Sequence, residues 1–447
     1  MLWVAIVVPA SAQDWPQFRG PDGQGHAASA APPLTWNETT NVVWKVPVAG
    51  RAWSSPVVIG GLVWVTTALE TEASAEQRAR AEQRAKVPVP GTHLAGQVTL
   101  KAVSFDVRTG RIRQEVLLFD VSEPVFLNPM NSYASPTPVA EPGRLYCDFG
   151  AMGTACLDTK TGKILWKSRL VVEHQVGPGS SPILYRDLLI LVRDGCDQQY
   201  VAALEKDTGR LVWKTRRPPI RATDGMFRKA FSTPLVFSHD GRDQMVVPGA
   251  QWIVSYDPAT GRELWRVDTG GTFSNVSRPV YGNGLVYICT AFGGTRMLAI
   301  RPDGRGDVTK SHVAWELRRA TPRRSSPLLV NNRLYFVSDN GVASCVDAET
   351  GRVIWNKRLG SRHSASPVFA ADRVYFFGEE GTTTVVAPAD SYRQLASNPL
   401  NGRIMATPAF VGRSIFLRTA THLYRLQADS VEAMRPTQRP PSGDSSQ

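Results

Sequence analysis

The chain is poor in the patterns that most protein chemistry requires. Among its 447 residues the five cysteines, at 147, 156, 196, 289 and 345, form no Cys-x-x-Cys pair, no adjacent pair and no Cys/His zinc spacing. A structural zinc site, a thioredoxin-like redox centre and a disulfide-stapled scaffold are excluded. There is no HExxH, no GxSxG, no P-loop, no CxxCH and no GxGxxG behind a strand, which removes the motif-defined hydrolases, nucleotide binders and c-type haem proteins. Beyond the first dozen residues no run approaches the ~20 apolar residues that cross a bilayer, so the mature chain is expected to carry no transmembrane segment. Clustered charge is missing too. Lys and Arg number 51 against 39 Asp and Glu, a formal +12, but the basic residues are scattered through turns, whereas a nucleic-acid binder gathers them on one face. No nucleic-acid partner is expected.

What is abundant points to β structure: 37 Gly, 32 Pro and 12 Trp supply turns and large aromatic packing units. The opening MLWVAIVVPASA is apolar and ends in Ala10-Ser11-Ala12, the form of an export signal over residues 1–12, which places the mature protein in the periplasm or outside the cell. Residues 13–35 then read as an N-terminal extension. After Gln427 the chain turns polar and Pro-rich, so 428–447 is expected to be a disordered tail.

Between these ends the sequence repeats. LDTKTGKILW (157–166), LEKDTGRLVW (204–213), YDPATGRELW (256–265) and VDAETGRVIW (346–355) place an acidic residue four before Gly and a Trp four after it, and FDVRTGR (105–111) is a partial copy. A side chain that caps its own turn, followed by a Gly free to take positive φ, closes a tight turn between two strands. Trp44 and Trp315 occupy the same position behind degenerate turns. A second marker precedes each unit: Ser55-Pro56, Thr137-Pro138, Ser181-Pro182, Thr233-Pro234, Arg278-Pro279, Ser326-Pro327, Ser366-Pro367 and Thr407-Pro408, and the six intervals from Pro138 to Pro408 average 45 residues. That is the length of one four-stranded propeller blade. The wider gap from Pro56 to Pro138 puts a polar insertion at 68–97 in blade 1.

Eight markers predict an all-β, eight-bladed propeller of four-stranded antiparallel blades over residues 36–427. The last blade supplies only three strands, and the strand around Trp44 has no blade of its own, so its pairing there is expected to close the ring. Cys147 and Cys156 flank one hairpin, where a disulfide and two buried thiols are both compatible with the sequence. Arg305-Gly306-Asp307 reads as part of a degenerate repeat turn.

The turn-plus-Trp unit resembles the repeat of pyrroloquinoline-quinone (PQQ)-like β-propellers. The resemblance implies that Trp44, Trp166, Trp213, Trp265, Trp315 and Trp355 dock blade on blade. It also implies one of two functions: a PQQ- and calcium-dependent quinoprotein dehydrogenase, or a BamB-like periplasmic scaffold that binds no quinone. The absence of adjacent cysteines favours the scaffold, with no cofactor, no catalytic residue and no metal ligand expected, envelope or secreted proteins as partners, and a monomeric state. A carbohydrate or polyanion binder is a weaker alternative. Long loops gather on one face, and the residues ahead of the Pro markers are expected at the channel: Trp53, Asn131, Tyr133, His174, Arg228, Asn275, Arg278, Arg324 and His363. They suit a small anionic ligand, or else satisfy buried loop carbonyls.

Overall fold

A computed structural model describes residues 14–27 and 29–428; the proposed signal and nearly all of the proposed tail lie outside them. Among the described residues the strands form eight sheets, each with a four-stranded antiparallel core. Blade 1 spans Val57–Val121, blade 2 Val139–Ser168, blade 3 Ile183–Arg216 and blade 4 Leu235–Asp268. Blade 5 spans Val280–Leu317, blade 6 Leu328–Arg358 and blade 7 Val368–Pro399. Blade 8 takes its three inner strands from 409–426 and its outer strand from Val42–Pro47, which pairs antiparallel with His422–Leu426. The ring therefore closes as the sequence predicts.

The repeated turn shows why its residues recur. The Asp158 carboxylate accepts from the N–H groups of Lys160 and Thr161, and Gly162 closes the turn at φ +74°. At four of the other repeat turns glycine is needed for a second reason: the indole of the preceding blade lies on it. A Cβ at Gly209 would come within 2.5 Å of the Trp166 ring, and the same holds for Gly261 under Trp213. Gly351 under Trp315 and Gly110 under Trp44 are nearly as tight, at 2.7 and 2.8 Å. The indole N–H then donates to the turn backbone, from Trp166 to Lys206, Trp44 to Val107, Trp315 to Ala348 and Trp355 to Ala389. Trp265 differs, because the next blade has no tight turn there; it is fully buried and donates to Gln244 of its own blade. The apolar core is accordingly a ring of clusters, each shared by neighbouring blades, as with Tyr146, Cys156 and Trp166 packed on Leu189, Leu191 and Leu204.

The Ser/Thr-Pro markers do more than start strands. The N–H of Ser55 donates to the Thr137 hydroxyl, Thr137 to Ser181, and Ser181 to Thr233, each at 2.9–3.0 Å. The series resumes from Arg278 to Ser326, Ser326 to Ser366 and Ser366 to Thr407. These hydroxyl bonds form two arcs about the channel, interrupted at Arg278, which has no hydroxyl to offer Thr233, and between Thr407 and Ser55, which no such bond joins.

Two expectations change, and of the two readings open for the cysteine pair the buried thiols hold. The insertion is narrower than 68–97, because strands Leu62–Glu72 and Ala95–Asp106 continue into it as a ribbon, leaving a capped helix Ala75–Arg84 with no buried residue. Cys147 pairs with Ala155 and Cys156 with Tyr146, so alternation puts the two thiols on opposite faces of the sheet; all five cysteines are free and buried. Gly306–Asp307 is no simple turn, since it adds a short parallel strand outside Trp265–Arg266.

The Gly209 contact predicts a measurable interlock. Gly209 and Gly241 share nearly the same φ, +72° and +73°, but nothing lies within 4 Å of a Cβ at Gly241. Gly241→Ala should lose only the ~1–2 kcal/mol of a left-handed alanine, and Gly209→Ala at least ~1 kcal/mol more by urea denaturation. Equal losses would show that the indole does not rest on the turn.

Candidate functional site

The two faces of the ring differ. On the face of the tight turns, the N-terminal extension crosses the channel. Trp15 bridges Val58 of blade 1 through paired backbone bonds, and the Pro16 carbonyl accepts from Ala140 of blade 2. Arg19 reaches the Pro327 carbonyl of blade 6, His26–Ala27 adds a parallel strand to blade 7, and Ala31 bonds Gly412 of blade 8. Arg278, proposed above for a channel ligand, is taken up by this segment: its guanidinium donates to the carbonyls of Phe18 and Pro234.

The other face carries the middle loops and blade connections. Several proposed ligand residues serve backbone there. The Asn131 amide donates to the carbonyls of Val176 and Pro178, Asn275 bridges Gly249 and Ala291, and the Tyr133 hydroxyl accepts from Ala95. His174 Nε2 accepts from Ala151, and burial, then the charge of Arg193, drives its pKa down to about 3. His363 donates from Nδ1 to the Ser361 carbonyl, and its burial lowers its pKa to about 4. Arg228 bonds the Gln199 side chain.

Trp53 and Arg324 do reach the loop-face mouth. The Trp53 ring lies between the guanidinium groups of Arg51 and Arg403, 5.8 and 6.0 Å from their carbons. Glu379 gathers Arg403 at 2.8 Å, Arg324 at 3.2 Å and the Ser364 hydroxyl at 2.7 Å. Burial pushes this carboxyl up, but the bonds from Ser364 and Arg403 outweigh it and hold it below the usual range.

Sequence reasoning missed an aromatic ridge on the same face. Phe227, on the blade 3–4 connection, meets Phe273 edge-on at 4.9 Å; Phe273 stacks on Phe292 at 5.7 Å, with Arg323 5.1 Å above the Phe292 ring. Backbone bonds between Phe273 and Phe292 tie blade connection to loop. Phe227 is 42% exposed and Phe292 45%. Most other exposed large apolar side chains, such as Ile112, Leu165 and Leu211, line outer strands. Beside the ridge Trp252 carries Arg221 and Arg266 at 5.9 and 5.2 Å. No spacing marks these phenylalanines, since they come from three separate loops.

The sequence matches the family described as outer membrane protein assembly factor BamB over residues 102–310 and 250–430. The chain belongs to this family. Among solved structures, BamB from Moraxella catarrhalis is 12% identical with a TM-score of 0.57, over 86% of this chain and 99% of that one. A europium-containing methanol dehydrogenase is also 12% identical with a TM-score of 0.52, over 84% and 89%. At such identity the likeness shows the shared fold. Tetrathionate hydrolase of Acidithiobacillus ferrooxidans is 28% identical over 137 residues, 30% of this chain and a quarter of that protein's length.

BamB and a methanol dehydrogenase thus share this architecture. Among the described residues no three His, Cys, Asp or Glu side chains are grouped to hold a metal ion, and the buried cysteines are dispersed over blades 2, 3, 5 and 6. No helix among the described residues is long and apolar enough to cross a membrane.

The buried histidines set a pH dependence. A ring whose folded pKa is depressed is protonated first in the unfolded chain, so its stability contribution is intact above ~6.5 and is lost as pH falls towards the folded value. Stability should fall between pH 6.5 and 4, with His363 contributing on the order of 2 kcal/mol. His363→Gln should flatten that fall in denaturant titrations, and an unchanged pH profile would remove His363 as its source.

Proposed function

We propose that this chain is an exported, non-catalytic scaffold that docks protein partners of the cell envelope on its loop face. The observation that carries the reading is the Phe227–Phe273–Phe292 ridge, exposed on a rigid ring and flanked by arginines. Aromatic and arginine side chains are the usual anchors of protein interfaces, and an apolar ridge rimmed by cations suits a partner loop with apolar and acidic residues. Membership of the family described for outer-membrane assembly supports the same reading. The scattered +12 charge fits acidic partners without nucleic-acid recognition.

A photoreactive side chain in place of Phe227 is expected to crosslink an exported protein identifiable by mass spectrometry. The double variant Phe227→Ala, Phe292→Ala should reduce binding to that protein at least ~10-fold, with an unchanged melting temperature, because both rings are half exposed. Capture that survives the double variant would move the docking site elsewhere. Dye reduction with alcohols that depends on added PQQ and calcium would overturn the scaffold reading.

A further inference from the structure

Of the five buried arginines among the described residues, Arg193 and Arg217 are paired with carboxylates, while Arg19 and Arg278 each donate to two backbone carbonyls. Arg193 holds Asp148 through both Nη atoms, and Arg217 holds Asp194 through Nε and Nη2. Arg418, only 1% exposed at the end of a blade 8 strand, has no carboxylate within salt-bridge distance. Its Nη1 donates to the Ser54 hydroxyl at 3.1 Å and to the Thr66 carbonyl at 2.8 Å. Nε and Nη2 are buried and without a partner. These two atoms form one edge of the guanidinium, the edge that presents two parallel N–H groups to a pair of oxygens.

Arg418 lies at the seam where blade 8 meets blade 1. Ser54 receives the Thr66 N–H and donates to the Thr66 carbonyl, so it stands at the inner edge of blade 1 just ahead of strand Val57–Ile59. Arg418 spans from blade 8 to that edge, directly beneath the mouth formed by the neighbouring residue Trp53, Arg51 and Arg403, whose carbonyl bonds Ala420. Burial alone lowers the Arg418 pKa to about 10, with no anion to counter it. An uncompensated buried cation is costly, and a small anion offsets that cost as a carboxylate does for Arg193 and Arg217.

We infer that Arg418 is the base of an anion site below the loop-face mouth, taking a small oxyanion that offers two oxygens to Nε and Nη2, whether a carboxylate or an inorganic ion. Arg51 and Arg403 form the basic approach to it. This site is independent of the aromatic ridge and does not rest on protein docking.

The test is thermal melting of the full chain in formate, sulfate or chloride at constant ionic strength. Formate or sulfate is expected to raise the melting temperature saturably by roughly 2–4 °C, and chloride, a single atom that cannot bridge both donors, to give no saturable rise. Whichever oxyanion acts separates the two sources. Arg418→Met should abolish the saturable part, leaving only the general salt effect of sulfate, and Arg418→Lys, which keeps the charge but loses the paired donors, should do the same. Equal shifts in wild type and either variant, or no oxyanion-specific shift, would overturn the site. Should neither variant fold, crystals of the wild type soaked in selenate decide: an anomalous peak within hydrogen-bond reach of Nε and Nη2 supports it, and water alone there overturns it.

Discussion

At four of the eight blade contacts an indole lies on a glycine, and the outer spacing of the ring depends on that contact. Blades of four strands are too narrow to bury their own faces, so each must seal against the next. The Trp at the outer strand of one blade covers the turn of its neighbour, and the bare Cα of that turn is what lets the ring approach. The hydrogen bond from the indole to the turn carbonyl fixes the angle at which the two sheets meet. Near the axis the two arcs of Ser and Thr hydroxyls perform the same task with polar groups, where the blades crowd too closely for large side chains. One contact sets the outer spacing of the ring and the other its inner spacing.

That division explains what the sequence could reveal. The Trp and Gly recur at fixed distance because the contact is repeated with one geometry, so the blade count and the closing strand around Trp44 were legible from spacing. The Ser/Thr before Pro was visible as a pattern but not as a bond, since its partner lies in the next blade 40 to 82 residues away. The ridge of Phe227, Phe273 and Phe292 was invisible for the opposite reason: its members come from loops that do not repeat, and only the ring brings them together. Of the proposed channel residues, Asn131, His174 and Asn275 turned out to hold backbone, which is the commoner duty of a buried polar side chain at the head of a loop.

The two faces have therefore diverged on a symmetric frame. One is occupied by the chain's own N-terminal extension, whose Trp15 and Trp36 are buried against inner and outer strands. The other keeps its arginines and aromatic rings accessible. Arg278 and Arg324, ahead of neighbouring blades, show the outcome on the two faces: the first is consumed by the Phe18 and Pro234 carbonyls, the second remains at the mouth with Glu379 and Asp339. A basic composition alone distinguishes neither.

The closing strand also constrains the order in which the molecule can be assembled. Val42–Pro47 must wait for His422–Leu426, a partner almost four hundred residues later. Until that late partner is made, blades 1 to 7 can form but the first and last edges of the growing stack stay bare, and bare edges invite pairing with other chains. So distant a contact is slow to find. A chain threaded through a membrane from its N-terminus would thus carry an unpaired strand for most of its passage, which makes the final ring closure the step at which a holding factor would have most effect.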